Sequence, residues 1–365
     1  MFALKCIWDV RETKYMRKLT NRRVANINVA ADEPNLDDDP ELAQYVRSIP
    51  NALRLDHILL QGYLIFPQFL NKINKFEVRR DDIWLATYPK SGTTWTEEIL
   101  SLIHNGGDID KVKDKLLPKR VKHLEVGLPV GHNRWLKAKK GRRLIATHLP
   151  ATHIPNQLKQ LKAKVIYVVR NPKDTAVSFY HHHRMSSFLG NYSGSWDTFS
   201  KLFVGGHLVY GDWLQHVEGF WRLHQQNPLQ VLFISYEELN TDLPKMIALM
   251  ANFMGRRLTD ETIDRIANHC SFESMKDNKM VNRENFTLRG LFDMKESRFM
   301  RKGQIGTWRD TFTAAQSQMF DAKYEERLHS MGLSIAYDSE SAATLMESTG
   351  RIVSTNVVQQ IHTII

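Results

Sequence analysis

The stretch 87-TYPKSGTTWTEEIL-100 carries the parts of an anion cradle in an unusual order. A phosphate loop of the G-x-x-x-x-G-K-[ST] kind puts its lysine after the last glycine. Here Lys90 precedes Ser91 and Gly92, and Thr93, Thr94 and Trp95 follow. If a strand ends at Tyr88 and a helix starts near Thr93, the amides of Ser91 to Thr94 are the unpaired donors of a helix start. Gly92 lets a ligand approach the backbone, the threonines add hydroxyls, and Lys90 adds a mobile charge. Taken alone, the stretch reads equally as an ordinary strand–turn–helix junction with a surface lysine.

Two further stretches offer the same chemistry. In 164-KVIYVVRNPKDTAVSFYHHHRM-185, Arg170 ends an apolar run, and Ser178 lies two helical turns on. A strand-end arginine plus a hydroxyl is a phosphate grip, and the planar guanidinium suits it. By itself Arg170 also reads as a surface residue paired to Asp174. In 299-FMRKGQIGTWRD-310, Arg301 and Lys302 precede Gly303, which fits an anion wrap. Three such grips imply a ligand with anionic groups at two separated points. His181, His182 and His183 do not make a metal site, because successive helix residues point about 100° apart.

These groups need a scaffold that brings them to one edge. Apolar runs at 82–88, 143–147, 164–169 and 230–235 read as strands. Helical patterns follow at 93–104, from Pro172, and at 242–255. Strands that are apolar throughout are buried on both faces, as in a parallel sheet covered by helices. The fold class is therefore α/β, and such sheets bind ligands at the carboxyl ends of their strands. All three grips sit at such ends.

Composition narrows the function. The net charge of +10 favours an anionic partner. The basic clusters at 11–23 and 111–143 lack the aromatic interleaving of a single-strand groove, which argues against nucleic acid. No apolar run of about 18 residues appears, so no membrane-spanning helix is expected. The N-terminus lacks the apolar core of a secretory signal. Two cysteines, Cys6 and Cys270, suit a reducing compartment. Residues 1–50 read as a poorly ordered N-terminal extension, 51–335 as one domain, and 336–365 as a C-terminal extension.

Taken in order, TYPKSGTTW, 147-THLP-150, RNPKDTAVSFYH and RKGQIGTW resemble the cytosolic sulfotransferase family over roughly residues 55–335. The resemblance implies a P-loop-like nucleotide-binding fold with a central parallel sheet flanked by helices. It implies 3′-phosphoadenylyl sulfate as co-substrate, no metal, and a cytoplasmic location. Lys90, Ser91, Gly92, Thr93 and Thr94 would cradle the 5′ phosphosulfate. Trp95, Tyr236 and Phe272 would hold adenine. Arg170, Ser178, Arg301, Lys302 and Gly303 would grip the 3′-phosphate. His148 would be the general base, taking the proton of an acceptor hydroxyl as it attacks sulfur. The acceptor would be a small lipophilic phenol, sterol or other alcohol, with Phe179, Tyr180, His181 and the segment 121–135 as candidate walls.

The sequence departs from the family pattern in three places. Ala146 stands where the family usually has a second lysine, and Cys270 where it usually has threonine. The short dimerisation motif reads 309-RDTFTAAQSQ-318, with Ala314 and Gln318 out of pattern, which leaves a homodimer open. Ala146 keeps a non-catalytic nucleotide-binding homologue in view. A dehydratase that sulfates and then eliminates is a variant within the family. A nucleotide kinase would instead need a triphosphate with Mg²⁺, and the chain has no Gly-Lys dipeptide.

Overall fold

The computed structural model describes residues 39–65, 67–126 and 136–353. Strands β1 (Leu53–Leu55) and β2 (Ile58–Leu60) form an antiparallel hairpin. The main sheet comprises β3 (Ile83–Thr87), β4 (Lys122–His123), β5 (Leu144–Thr147), β6 (Lys164–Val169) and β7 (Val231–Ser235). Its order is β4-β5-β3-β6-β7, and every pairing is parallel.

Every residue of β3, β5 and β7 is buried, as the unbroken apolar runs require. Alternate side chains enter opposite cores. Trp84 and Ala86 join Tyr167, Trp213 and Phe220 on one face. Ile83 and Leu85 join Ile99, Ile166 and Met246 on the other. The chain enters the sheet at its central strand, β3, and later strands add on both sides. The loop after β3 therefore lies at the switch point, where such sheets leave a crevice.

The helices that matter for the site are α1 (Pro40–Ser48), α2 (Thr93–His104), α3 (Pro172–Met185), α4 (Trp213–Gln226), α5 (Tyr236–Thr241), α6 (Leu243–Phe253), α7 (Phe272–Asp277), α8 (Ala314–Ser330) and α9 (Ser339–Thr349). Local chemistry sets their starts. Asn171 caps α3, with Pro172 at its first position. Ser235 and Glu238 form a capping box that starts α5 directly at the end of β7.

The packed structure reaches further at both ends than 51–335. Leu42, Ala43 and Tyr45 of α1 are buried. The Tyr45 hydroxyl donates to His183 Nε2 (3.0 Å) and accepts from the Val209 amide (3.1 Å). At the other end α9 packs on α5, and Arg351 beyond it pairs with buried Glu238 at 2.6 Å. Of the expected poorly ordered extension 1–50, residues 1–38 lie outside the described residues, as do 354–365 of the expected C-terminal extension. The segment 309–318 is engaged within the chain: Arg309 pairs with Asp338 (2.8 Å), and Gln316 bonds Trp196 Nε1 and Asp197.

Candidate active site

The β3–α2 junction forms the floor of a cavity of about 1460 Å³. Lys90 is held at φ 70 and Gly92 at φ 97, so the chain turns twice through the left-handed region before α2 begins. No side chain caps α2. Among the described residues, the amides of Thr93 and Thr94 meet no acceptor. Ser91 departs from expectation. Its amide donates to the Tyr88 carbonyl (3.3 Å), and its hydroxyl is buried without a partner and away from the cavity wall. Gly92 is required sterically, because a Cβ there would lie 2.9 Å from Tyr236 Cδ2.

The other anticipated residues converge on this cavity. Lys90, Gly92, Thr93, Thr94, Trp95, His148, Arg170, Ser178, Tyr236, Phe272, Arg301, Lys302 and Gly303 all line it. Arg170, nearly buried, stacks its guanidinium 4.3 Å over the Tyr236 ring. Its Nη1 and Nη2 reach the carbonyls of Lys90 and Gln304, each at 3.3 Å, and its Nε is buried without an acceptor. Asp174 approaches Arg170 only at 4.0 Å. Its oxygens instead accept from Asn171, the Gly306 and Trp308 amides and the Thr307 hydroxyl. That buried carboxylate pins the 301–308 loop to the first turn of α3, a role invisible in the sequence. Lys302 turns to Asp310 at 2.5 Å. Trp95 Nε1 donates to the Cys270 carbonyl (2.7 Å), so residue 270 contributes backbone rather than side chain to the indole.

Cations crowd the floor. Burial, then the charges of Arg170, Arg283 and Arg301, draws the Lys90 pKa down to about 7. Protein carboxylates do not balance this group fully, so an anionic ligand fits it.

His148 follows β5. Its Nδ1 lies 2.9 Å from the Thr87 carbonyl and 3.2 Å from Thr87 Oγ1. A carbonyl only accepts, so Nδ1 carries the proton and Nε2 presents a lone pair. Burial above all, with His123, His216 and Lys90 adding repulsion, holds the imidazole neutral, its pKa well below the ordinary value. Two further bonds fix the residue. Buried Glu125 accepts from the His148 amide (2.8 Å) and the Thr147 hydroxyl (2.9 Å). His216 Nε2 donates to the His148 carbonyl (3.0 Å). Tyr210, at φ 71, sets its ring 5.4 Å from the His148 ring.

The apolar wall beside His148 differs in detail from expectation. Phe179 lines it, but Tyr180 and His181 do not; His182 does, one turn on from Phe179. From 121–135, Val121, Lys122, His123 and Val126 line the cavity, and 127–135 lie outside the described residues. Phe188, Phe286, Phe292 and Phe299 complete an aromatic lining that pattern reading missed. Among the described residues no cluster of His, Cys, Asp and Glu has metal-binding geometry. No helix among them is long and apolar enough to cross a membrane.

The sequence and the fold both have known relatives. The family model described as "Sulfotransferase domain" matches residues 80–332. Sulfotransferase 1A1 of Canis lupus familiaris is 41% identical over 272 residues, covering 74% of this chain and 90% of its own. Sulfotransferase 1B1 of Mus musculus is 37% identical over 295 residues, covering 79% and 97%. Among solved structures, retinol dehydratase in complex with retinol and PAP superimposes with a TM-score of 0.71 at 26% identity, covering 81% of this chain and 95% of that one. Mouse sulfotransferase SULT7A1 complexed with PAP gives a TM-score of 0.63 at 30% identity, covering 82% and 99%. The chain belongs to the sulfotransferase family.

Proposed function

We propose that this protein transfers the sulfuryl group of 3′-phosphoadenylyl sulfate to a hydroxyl of a small lipophilic acceptor, in the cytoplasm. The observation that carries this reading is one cavity holding a tautomer-fixed neutral His148, an uncapped helix start with Lys90, and an aromatic wall. Arg170, with its unbonded Nε, grips the 3′-phosphate together with Ser178, Arg301, Lys302 and Gly303. Trp95, Tyr236 and Phe272 enclose adenine. Lys90, Gly92, Thr93 and Thr94 hold the 5′ phosphosulfate, and Ser91 supports the turn from beneath.

The acceptor oxygen attacks sulfur in line. The bond from sulfur to the bridging oxygen breaks, and its electron pair stays on the 5′-phosphate of adenosine 3′,5′-bisphosphate. His148 Nε2 takes the acceptor proton. Lys90 and the α2 amides oppose the charge that develops on the leaving phosphate. The neighbours solved with androsterone and with retinol support alcohols of that size and character as acceptors.

The test is transfer from labelled donor to a panel of phenols and sterols, by the wild type and by His148→Ala. The variant should lose about 10²–10⁴-fold in rate and retain affinity for adenosine 3′,5′-bisphosphate. Unchanged transfer sinks the base assignment. Nucleotide binding with no transfer to any acceptor favours a non-catalytic homologue, and preference for ATP with Mg²⁺ overturns the donor assignment.

A further inference from the structure

A charged cluster at the reacting end of the cavity takes no part in the steps above. His123 on β4 has Ala146 on β5 as its Cα partner, so the two side chains share one face of the sheet. Ala146 packs there against aliphatic residues of α2. From α2, Glu97 meets His123: its Oε1 lies 2.7 Å from His123 Nε2. The other oxygen, Oε2, accepts from Arg283 Nη2 at 3.2 Å. The same nitrogen lies 3.4 Å from Thr94 Oγ1, in the first turn of the cradle helix.

Arg283 is built in place. Its backbone sits at φ 64, in the left-handed region that a non-glycine residue adopts only at a cost. Its side chain is 11% exposed, and it lines the cavity. The guanidinium lies 5.9 Å from the Phe299 ring, and Lys90 Nζ lies 4.5 Å from that ring. Among the described residues, only Nη2 of the guanidinium makes a hydrogen bond, which leaves Nε and Nη1 unbonded. Burial opposes a charge on His123, but Glu97 outweighs it and the imidazole pKa ends raised. Glu97 therefore faces both His123 and the cationic Arg283, and the guanidinium carries positive charge toward Lys90.

We propose that Arg283, clamped by Glu97, is the second cationic contact of the sulfuryl group in transit, donating to one of its oxygens from the unbonded Nη1. The inference rests on the donor assignment above. As the acceptor–sulfur bond forms and the sulfur–phosphate bond breaks, the three sulfuryl oxygens pass through one plane while the acceptor proton goes to His148. A guanidinium also keeps its charge when buried, where Lys90 is drawn down to a pKa of about 7. Lys90 serves the leaving oxygen, and Arg283 one of the oxygens that travel. This division fits an apolar Ala146 on β5, because the second charge comes from the 278–284 loop.

The measurement is calorimetric affinity for 3′-phosphoadenylyl sulfate and for adenosine 3′,5′-bisphosphate, alongside kcat, using the full chain. The two nucleotides differ only in the sulfuryl group. Arg283→Gln should lower kcat about 10²–10³-fold, as for a lost oxyanion donor. It should also narrow the affinity ratio between the two nucleotides by about tenfold, with the bisphosphate affinity unmoved. The double variant Glu97→Gln/Arg283→Gln leaves no carboxylate short of a partner, and it should behave in the same way. Ala146→Lys in the Arg283→Gln background should recover about tenfold in kcat. An unchanged affinity ratio in Arg283→Gln overturns the inference, as does a double variant restored to wild-type turnover, which would assign Arg283 to charge balance alone. A wild type that binds neither nucleotide overturns the donor assignment itself.

Discussion

Gly303 sits at φ 69 in the loop after Arg301 and Lys302, and a Cβ built on it would lie 2.3 Å from Phe272 Cδ2. Ordinary contact begins at 3.4 Å, so Gly303→Ala forces the Phe272 ring aside by about 1.1 Å. The ring starts α7, and its proposed partner is the adenine plane. Two terms follow. The left-handed backbone costs alanine about 1–2 kcal/mol of stability. Loss of a base–aromatic stack costs about 1–3 kcal/mol of binding, or about 5–150-fold in Kd. Gly106→Ala separates the two: its φ is +72, yet a Cβ there meets nothing within 4 Å. Both variants should melt a few degrees lower, by comparable amounts. Only Gly303→Ala should weaken adenosine 3′,5′-bisphosphate in calorimetry. Equal affinity in the two variants would refute the placement of Phe272 against the base.

Lys90, with its pKa near 7, loses its proton in the free enzyme as pH rises through that value. The kcat/KM for the donor should then fall about tenfold per unit above it, while kcat, measured with the anion bound, keeps its plateau to higher pH. Lys90→Arg should abolish the limb, because a guanidinium stays charged, and a flat wild-type profile to pH 9 would contradict the assignment. Arg351→Met leaves Glu238 buried and unpaired, which should cost about 3–5 kcal/mol in urea denaturation. A variant that unfolds like the wild type would show that the Arg351–Glu238 pair adds nothing to the fold.

The sheet was legible because its strands are apolar on both faces, and a parallel sheet gathers its strand ends at one edge. That rule alone places Lys90, His148, Arg170 and Tyr236 together from four distant segments. What stayed hidden depended on contacts without a local pattern. β4 is two residues long, too short for alternation, so nothing announced that His123 pairs beside Ala146. Glu97 and Arg283 are far apart in sequence and look like surface charges until α2 and the 278–284 loop meet. Asp174 reads as an ordinary acid in the first turn of a helix. α9 buries only Ala342 and Met346, so its sequence looks like a polar tail. The end of β6 fixed Arg170, but the phase of α3 further on decided for His182 over His181.

One residue joins the proposed base to the proposed cradle. Thr87 accepts the His148 Nδ1 proton through its carbonyl, and its hydroxyl lies 2.7 Å from Thr93 Oγ1 at the start of α2. The proposed base and the proposed cradle therefore hang from the same point on β3. Breathing of the sheet moves them together, as common-mode displacement, and leaves the gap between proton acceptor and leaving group almost unchanged. A loop elsewhere around the cavity can therefore differ in shape without detuning the distance on which the proposed transfer depends.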